Sequence, residues 1–170
     1  LHREIKKAGY KIVLTGEGSD ESFAGYVHLR ADLLRGALKK VGQSDNMVAG
    51  VHFPVSQSLD LTAIKKKIGY IPTFLEAKGA IGYALSGLMC PSYRRQHSAH
   101  KMVADFINSV DVRNQLSGRG RVNQSSYLWI KFTLANYILK TLGDGTEMPS
   151  GVEGTVPFLD NKLFEYARTI

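Results

Sequence analysis

The sequence has little cysteine, the residue that could stabilise the fold by a covalent cross-link. Its 170 residues include one cysteine, Cys90, so neither an internal disulfide nor a cysteine-based zinc or iron–sulfur site can form. This composition fits a reducing compartment, and we expect a cytoplasmic protein. No apolar run approaches the roughly 20 residues that a membrane-spanning helix needs, and the first residues lack the apolar stretch of a signal peptide. We therefore expect no membrane partner.

Strong basic clusters are also missing, although the net charge is +7. The runs at 65–67, 94–95 and 119–121 are short, dispersed and free of interleaved aromatic residues, which is typical of solvated faces. We therefore expect no nucleic-acid partner. The segment 117–121 could contact phosphate, but an interhelical loop is the simpler interpretation. His97 and His100 lack a carboxylate or cysteine that would complete a metal site.

The apolar pattern predicts a mostly helical α/β domain. The β-branched run 11–15 ends at glycines 16 and 18, which is typical of a buried strand in a parallel sheet. Residues 1–41 therefore predict a helix, a strand, a tight loop and a second helix, with Ser19 as the cap of that helix. We interpret residues 1–170 as one domain.

Further elements follow from periodicity and from helix-capping residues. Residues 41–59 predict an irregular loop, Pro72 a helix start, and residues 98–116 and 123–142 two helices. Asp160 can cap a last helix. The residues predicted to face inward on the helix after the loop are Phe23, Tyr26, Val27, Leu33, Leu34, Leu38 and Val41. Those predicted for the two later helices are Met102, Val103, Phe106, Ile107, Val110, Tyr127, Ile130, Leu134, Tyr137 and Ile138.

The segment Gly16-Glu17-Gly18-Ser19-Asp20-Glu21 lies where the predicted strand ends and a helix begins. Open α/β sheets bind ligands at this edge, and helix N–H groups there can contact phosphate oxygens. Three carboxylates would repel phosphate, so a bound divalent cation would be needed to offset their negative charge. A glycine turn followed by an acidic first helical turn fits the same spacing. The segment is no dinucleotide fingerprint, because Glu21 stands where the third glycine would be.

Two motifs resemble the asparagine synthetase family. The first is Val13-Leu14-Thr15-Gly16-Glu17-Gly18-Ser19-Asp20-Glu21, followed by Phe23, Gly25 and Tyr26. The second, in the family's order, comprises Asp144, Glu147-Met148, Val152-Glu153-Gly154 and Val156-Pro157-Phe158-Leu159-Asp160, with Glu165 and Tyr166 beyond. Residues 43–120 show little resemblance.

The resemblance implies an ATP-pyrophosphatase-type fold, similar to adenine nucleotide alpha hydrolases, and the cofactors ATP and Mg²⁺. It implies an enzyme that adenylates the side-chain carboxylate of aspartate and lets ammonia displace AMP, giving asparagine. Thr15, Gly16, Gly18 and Ser19 would then contact ATP. Glu17 would be the catalytic base, and Asp20 would bind the magnesium ion.

By the same resemblance, several family parts are expected to lie outside residues 1–170. These are an upstream pyrophosphate loop, a downstream catalytic lysine, and a glutaminase domain whose nucleophile is a terminal cysteine. We therefore expect a partial synthetase domain that is inactive alone. Its expected partners are aspartate, ATP, glutamine-derived ammonia and the glutaminase domain, with a homodimer as the candidate assembly of the full-length enzyme.

Two alternatives remain open. A cyclase of the β-lactam-synthetase type uses the same adenylation with an internal amine, but such cyclases have a tyrosine at the position of Glu17. A non-catalytic remnant of the fold is the other alternative. It is suggested by Gly145 and Thr155, which stand where the family usually has arginine, and by 149–151, where Pro-Ser-Gly replaces the usual Ala-His-Ser. Arginine there would neutralise neighbouring carboxylates.

Overall fold

The computed structural model describes residues 1–40, 59–167 and 169. The predicted loop 41–59 therefore lies outside the described residues, apart from Leu59, and so does Val41. The described chain is mostly helical with one parallel pair of strands, and it forms two compact units. This agrees with an α/β class, while the ATP-pyrophosphatase-type fold and the single-domain organisation stay predictions.

Unit 1 comprises Leu1–Tyr26 and Ser126–Ile170. Strand β1 pairs with β2 in parallel, in the register Ile12 with Glu153, Val13 with Gly154 and Leu14 with Thr155. The elements of this unit are α1 (His2–Lys7), β1 (Ile12–Leu14), α2 (Ser19–Phe23), π-helical stretches at Ile130–Ile138 and Lys140–Glu147, β2 (Glu153–Thr155), and 3₁₀ turns at Met148–Ser150 and Pro157–Leu159. Its last helix, numbered α9, is Asn161–Ala167.

Unit 2 comprises Val27–Ser125. Its helices are α3 (Val27–Lys40), α4 (Thr62–Ile68), α5 (Thr73–Ser86), α6 (Pro91–Gln96), α7 (Ala99–Asn108), a π-helical turn at Val112–Leu116 and the start of α8 (Arg121–Trp129). The apolar faces of α4 and α7 meet in a core of Leu61, Ile64, Val103 and Ile107. Helix α5 starts directly after Pro72, as predicted.

Two predictions about the first motif need correction. The strand was expected to be buried, but Ile12 and Leu14 are 61 % and 71 % exposed. The reason is that the sheet of the described residues has two strands, and it leaves this face of β1 uncovered. Ser19 is not the helix cap, because α2 begins at Ser19 and its N-cap is Gly18, which has no side chain to offer.

The helix after the loop is interrupted. Ala24 takes a left-handed conformation (φ 54°) and ends α2, so α3 starts afresh at Val27. The predicted inward face is wrong at Phe23, Val27, Leu33 and Leu34, which are exposed. Helix α3 instead buries Leu29, Ala31 and Asp32. Because the helix is broken at Ala24, the helical repeat of α2 does not continue into α3. Apolar residues counted across the break therefore do not identify the buried face of α3.

The predictions for the helices after residue 98 agree better with the structure. Val103, Ile107, Val110 and Leu134 are buried as expected, but the inward prediction is wrong for Met102 and Tyr137, which are 49 % and 61 % exposed. Tyr137 lies in the π-helical stretch Ile130–Ile138, whose longer turn moves its side chain away from the expected face, whereas Met102 lies in the regular helix α7 and nothing in the structure explains its exposure. Asp160 does cap α9, since its Oδ1 accepts hydrogen bonds from the backbone N–H groups of 162 and 163. Across the described ranges, no helix is long and apolar enough to cross a bilayer.

Candidate functional site

The two motifs meet in unit 1. Because β1 and β2 are parallel neighbours, the residues that follow each strand lie at the same edge of the sheet. Gly18 packs so closely on Leu159 that an added Cβ would overlap its side chain. Ser22 Oγ donates a hydrogen bond to Phe158 O over 3.3 Å, and the rings of Phe23 and Phe158 meet edge to face. We call this contact between 15–23 and 157–159 the motif junction.

Glu21 holds the loop of the first motif in place through its side chain and its backbone carbonyl. It is 4 % exposed, and its Oε1 accepts hydrogen bonds of 2.9 Å from both Tyr26 Oη–H and Trp129 Nε1–H. Ser126 Oγ donates to its backbone carbonyl over 3.1 Å. Burial and the hydrogen bond to Glu21 raise the pKa of Tyr26, so the phenol stays protonated and remains a donor. The sequence left the role of Glu21 open, and these contacts make it a residue that positions the loop.

Glu17 is half-buried on the same loop. Burial raises the pKa of its carboxyl, and repulsion from Glu21, Glu147 and Asp20 raises it further. The upward shift makes the Glu17 carboxylate a stronger base than an ordinary glutamate. The surroundings of the predicted catalytic carboxylate therefore favour proton uptake.

Glu147 adds a fourth carboxylate to this region. It is buried, its Oε1 lies 3.8 Å from His2 Nε2, and its carboxylate fills the space that a Cβ on Gly154 would need. Asp144 and Glu153, the other acidic residues of the second motif, are exposed. The loss of the family's arginines therefore bears mainly on Glu147, since solvent screens the other two.

The remaining predicted residues occupy different surroundings. Asp20 is exposed, with its carboxylate folded against Gly25. Gly16 faces open space, and Thr15 Oγ1 is buried with no hydrogen-bond partner among the described residues. Such an orphaned hydroxyl suits contact with a nucleotide. Gly18 is packed on Leu159, and Ser19 N–H is bonded to Gly16 O.

The side chains near the loop suit a magnesium ion only if a bound phosphate supplies some of its oxygen ligands. Within the described chain, no group of three histidine, cysteine or acidic side chains could hold a metal ion. Mg²⁺ commonly takes one or two carboxylates and completes its shell with water and substrate phosphates. Asp20, exposed beside the loop, could supply one such carboxylate. Binding of ATP at 15, 16, 18 and 19 and of Mg²⁺ at Asp20 stays a prediction.

Two residues of the site were not recognised from the sequence. Trp129 has no role in either motif, and Glu147 belongs to the second motif, which by itself assigns it no place in the site. A buried indole N–H needs an acceptor, so the single tryptophan of the chain gave a usable signal. The position of Glu147 depends on the β1–β2 register, which sequence periodicity does not provide.

Comparison with known proteins agrees with the resemblance. The family model described as asparagine synthase matches residues 1–170. The amidase chyE of Penicillium rubens is 27 % identical over 189 residues, and the amidase chry2 of Gibberella zeae is 25 % identical over 181 residues. Each alignment covers 100 % of this chain and 27 % of the relative, so the chain spans about a quarter of their length. No solved structure matches it. The chain belongs to the asparagine synthase family.

Proposed function

We propose that the protein is an ATP-dependent amide-forming synthetase, a ligase, and that the motif junction is part of its nucleotide and acyl site. The observation that supports this most directly is the parallel pairing of β1 with β2, because it brings the two family motifs into contact. Segments about 140 residues apart in sequence thereby share one ligand-binding edge of a sheet.

The proposed reaction has two steps. A side-chain carboxylate oxygen of aspartate attacks the α-phosphorus of ATP, and the bond to the pyrophosphate oxygen breaks. Ammonia then attacks the acyl carbon, the bond from that carbon to AMP breaks, and the nitrogen loses a proton. Magnesium would offset the charge that develops on the pyrophosphate oxygens. The products are asparagine, AMP and pyrophosphate.

Glu17 is the proposed acceptor of the nitrogen's proton. Its raised pKa, caused by burial and by three neighbouring carboxylates, favours proton uptake. Glu21 cannot readily take this role, because its Oε1 already accepts two hydrogen bonds. Thr15 Oγ1 and the open backbone at Gly16 would contact ATP, and Asp20 would bind the metal.

The choice of aspartate as acceptor and of glutamine as nitrogen source rests on the family resemblance. The two curated relatives are named amidases, which also describes chemistry at an amide bond. ATP-independent amide hydrolysis is therefore the alternative that an experiment must separate. A cyclase with an internal amine is less favoured, since such cyclases resemble the family but have a tyrosine at the position of Glu17.

Oxygen labelling distinguishes these reactions. The intact protein is given aspartate labelled with ¹⁸O in its side-chain carboxylate, together with ATP, Mg²⁺ and ammonium. We expect one labelled oxygen in each AMP, with pyrophosphate and asparagine formed in equal amounts. Label in inorganic phosphate with release of ADP, or turnover of amides without ATP, would contradict the proposal.

Asp20→Asn in the same assay should raise the magnesium concentration needed for half-maximal pyrophosphate release. Glu4→Gln is the matched control. It also neutralises an acidic side chain of unit 1, but Glu4 is exposed and pairs with Lys7.

A further inference from the structure

Unit 1 contains a contact between a histidine and a buried glutamate that no step of the proposed reaction uses. The Nε2 atom of His2, at the start of α1, lies 3.8 Å from Glu147 Oε1, and the two side chains are 14 % and 9 % exposed. Charges that are shielded from water act on their surroundings more strongly than charges on the surface. We call this contact the His2–Glu147 pair.

Glu147 has a fixed place against the β1–β2 sheet. Its carboxyl carbon and both oxygens lie where a Cβ on Gly154 would stand, so only glycine at that position leaves room for them. Gly154 is the middle residue of β2 and pairs with Val13 of β1. The backbone of Glu147 is also tied to the same segment, because its carbonyl accepts a hydrogen bond from Val152 N–H over 3.2 Å.

The same sheet leads into the loop that carries Glu17. The ladder continues past β1 to Thr15, whose N–H donates to Thr155 O over 2.9 Å. Thr15 is two residues from Val13, about 7 Å along a strand, and Glu17 follows two residues later. The carboxylate of Glu147 therefore lies beside the strand that ends in the Glu17 loop. Burial is the first cause of the raised pKa of Glu17, and repulsion from Glu21 and from Glu147 adds to it.

His2 can offset the charge of Glu147. Histidine is the side chain that ordinarily gains its positive charge between pH 8 and pH 5. Of the charged side chains in the described part of the chain, Glu147 is the one at ion-pair distance from the imidazole. The start of a helix disfavours a cation, so Glu147 is the group that favours a protonated His2. A protonated His2 would in turn cancel part of the field that Glu147 exerts on Glu17.

The other charged side chains around the pair do not take this role. Lys6 Nζ donates to Gly151 O over 3.0 Å, and Glu4 pairs with Lys7 on the exposed side of α1. Near Glu17, Asp20 and Glu21 have the same sign of charge as Glu147. The exposed charged residues of the neighbouring segments, which solvent screens, are Arg3, Lys11, Lys140, Asp144 and Glu153. His2 is therefore the counter-charge that changes with pH.

We propose that the His2–Glu147 pair tunes the strength of Glu17 as a base, with His2 as a positioning residue that acts through Glu147. The negative charge of Glu147 favours proton uptake by Glu17, and protonation of His2 weakens this effect. When His2 is neutral, Glu147 acts in full and Glu17 is most basic. The inference rests on the proposed function, since Glu17 serves as a base only in that reaction.

Carbon-13 NMR of the intact protein, labelled in its glutamate side-chain carboxyl groups, tests this without turnover. The Glu17 signal is identified by its loss in Glu17→Gln, and its titration midpoint is compared among variants in the absence of nucleotide and Mg²⁺. Glu147→Gln should lower the midpoint by about 0.3–1 pH unit, the effect of losing one partly screened like charge. His2→Gln should raise it by a similar amount, because nothing then offsets Glu147. The double variant should resemble Glu147→Gln.

Opposite shifts separate tuning from a structural role, because a loosened loop would move both midpoints down towards the ordinary glutamate value. Glu4→Gln is the matched control: it removes an exposed carboxylate of α1 and should leave the midpoint unchanged. Unchanged midpoints in both variants, or shifts in the same direction, would overturn the inference. If Glu147→Gln fails to fold, His2→Gln decides, and a midpoint that does not rise in that variant contradicts the inference.

Amide formation by the same variants distinguishes this inference from the proposed function. If Glu17 is the base, the acid side of the rate profile moves with its titration midpoint, down for Glu147→Gln and up for His2→Gln. Shifted midpoints in a protein that forms no amide would refute the proposed reaction and support the effect of the pair on Glu17. An active enzyme whose midpoints do not move would overturn this inference alone.

Discussion

The motif junction and the contact between Asp32 and Thr73 in unit 2 place their carboxylates in opposite electrostatic surroundings. At the junction, Glu17 faces three other carboxylates, and their repulsion raises its pKa. In unit 2, Asp32 is buried and accepts two hydrogen bonds from Thr73, whose hydroxyl accepts one from Arg35. Clustering like charges makes a proton acceptor, whereas hydrogen-bond donors and a nearby cation favour the charged form of a carboxylate.

The two regions also differ in how their carboxylates are anchored. Glu21 is held by two side-chain donors, Tyr26 and Trp129, while Asp32 takes both its hydrogen bonds from Thr73. A network of side chains holds the loop at Glu21, whereas both hydrogen bonds of Asp32 come from Thr73, the first residue of α5. The predictions below test these differences.

The largest effect on stability is expected from a comparison of a glycine at the motif junction with one in a loop of unit 2. Gly18 and Gly118 both have positive φ, 92° and 77°, but Gly18 packs on Leu159 while Gly118 faces open space. Gly118→Ala should cost about 1–2 kcal/mol for the left-handed backbone. Gly18→Ala should cost that amount plus about 1–3 kcal/mol of overpacking, as measured by urea unfolding. Equal losses would mean that the junction is not tightly packed.

Removing one hydrogen-bond donor from Glu21 or from Asp32 should lower the free energy of unfolding by less than the substitution at Gly18 does. Trp129→Phe leaves Glu21 with a single side-chain donor, and we expect a loss of about 1.5–3 kcal/mol for a hydrogen bond to a charged group. Thr73→Val keeps the backbone N–H bond to Asp32, so its loss should fall at the lower end of that range. Tyr166→Phe, at an exposed ring, is the control. A smaller loss for Trp129→Phe than for Thr73→Val would reverse the comparison.

The smallest effect on stability is expected from substitutions in the second motif. Gly145→Arg with Thr155→Arg restores two cations beside acidic residues, of which Glu147 is buried and the others exposed. Surface pairs contribute about 0–1 kcal/mol, so we expect a small rise in melting temperature or in aspartate-dependent pyrophosphate release by the intact protein. If neither increases, the two departures are harmless, and the remnant hypothesis loses its main support.

The sequence predicted the motif junction better than the buried face of α3 for a physical reason. Short motifs specify local geometry, so Gly16–Glu21 gave the strand end, the turn and the acidic helix start. Local pattern could not predict the break at Ala24, and α3, which starts after it, buries Asp32 where Leu33 and Leu34 were expected. The contacts of Glu21 with Trp129 and of Arg121 with Gly36 depend on tertiary packing, which periodicity does not encode.

The pH dependence of Glu17 follows from the direction of its shift. A raised pKa means that the folded protein binds this proton more tightly than the unfolded chain does. Its contribution to stability is therefore complete below the ordinary value of 4.5 and is lost as pH rises through the folded pKa. Glu17→Gln should consequently be at least as stable as the parent at pH 7, so a loss of activity cannot be ascribed to unfolding.

The pH profile of amide formation by the intact enzyme, compared with Glu17→Gln, tests the central claim most directly. We predict that parent activity falls on the acid side through a pKa above 4.5, because Glu17 must be deprotonated to accept the nitrogen's proton. The variant should form amide about 10²- to 10⁴-fold more slowly, without that acid limb, while its ATP–pyrophosphate exchange persists. A variant with the parent's rate and the parent's acid limb would show that Glu17 is not the base and that the motif junction is not the site of amide formation.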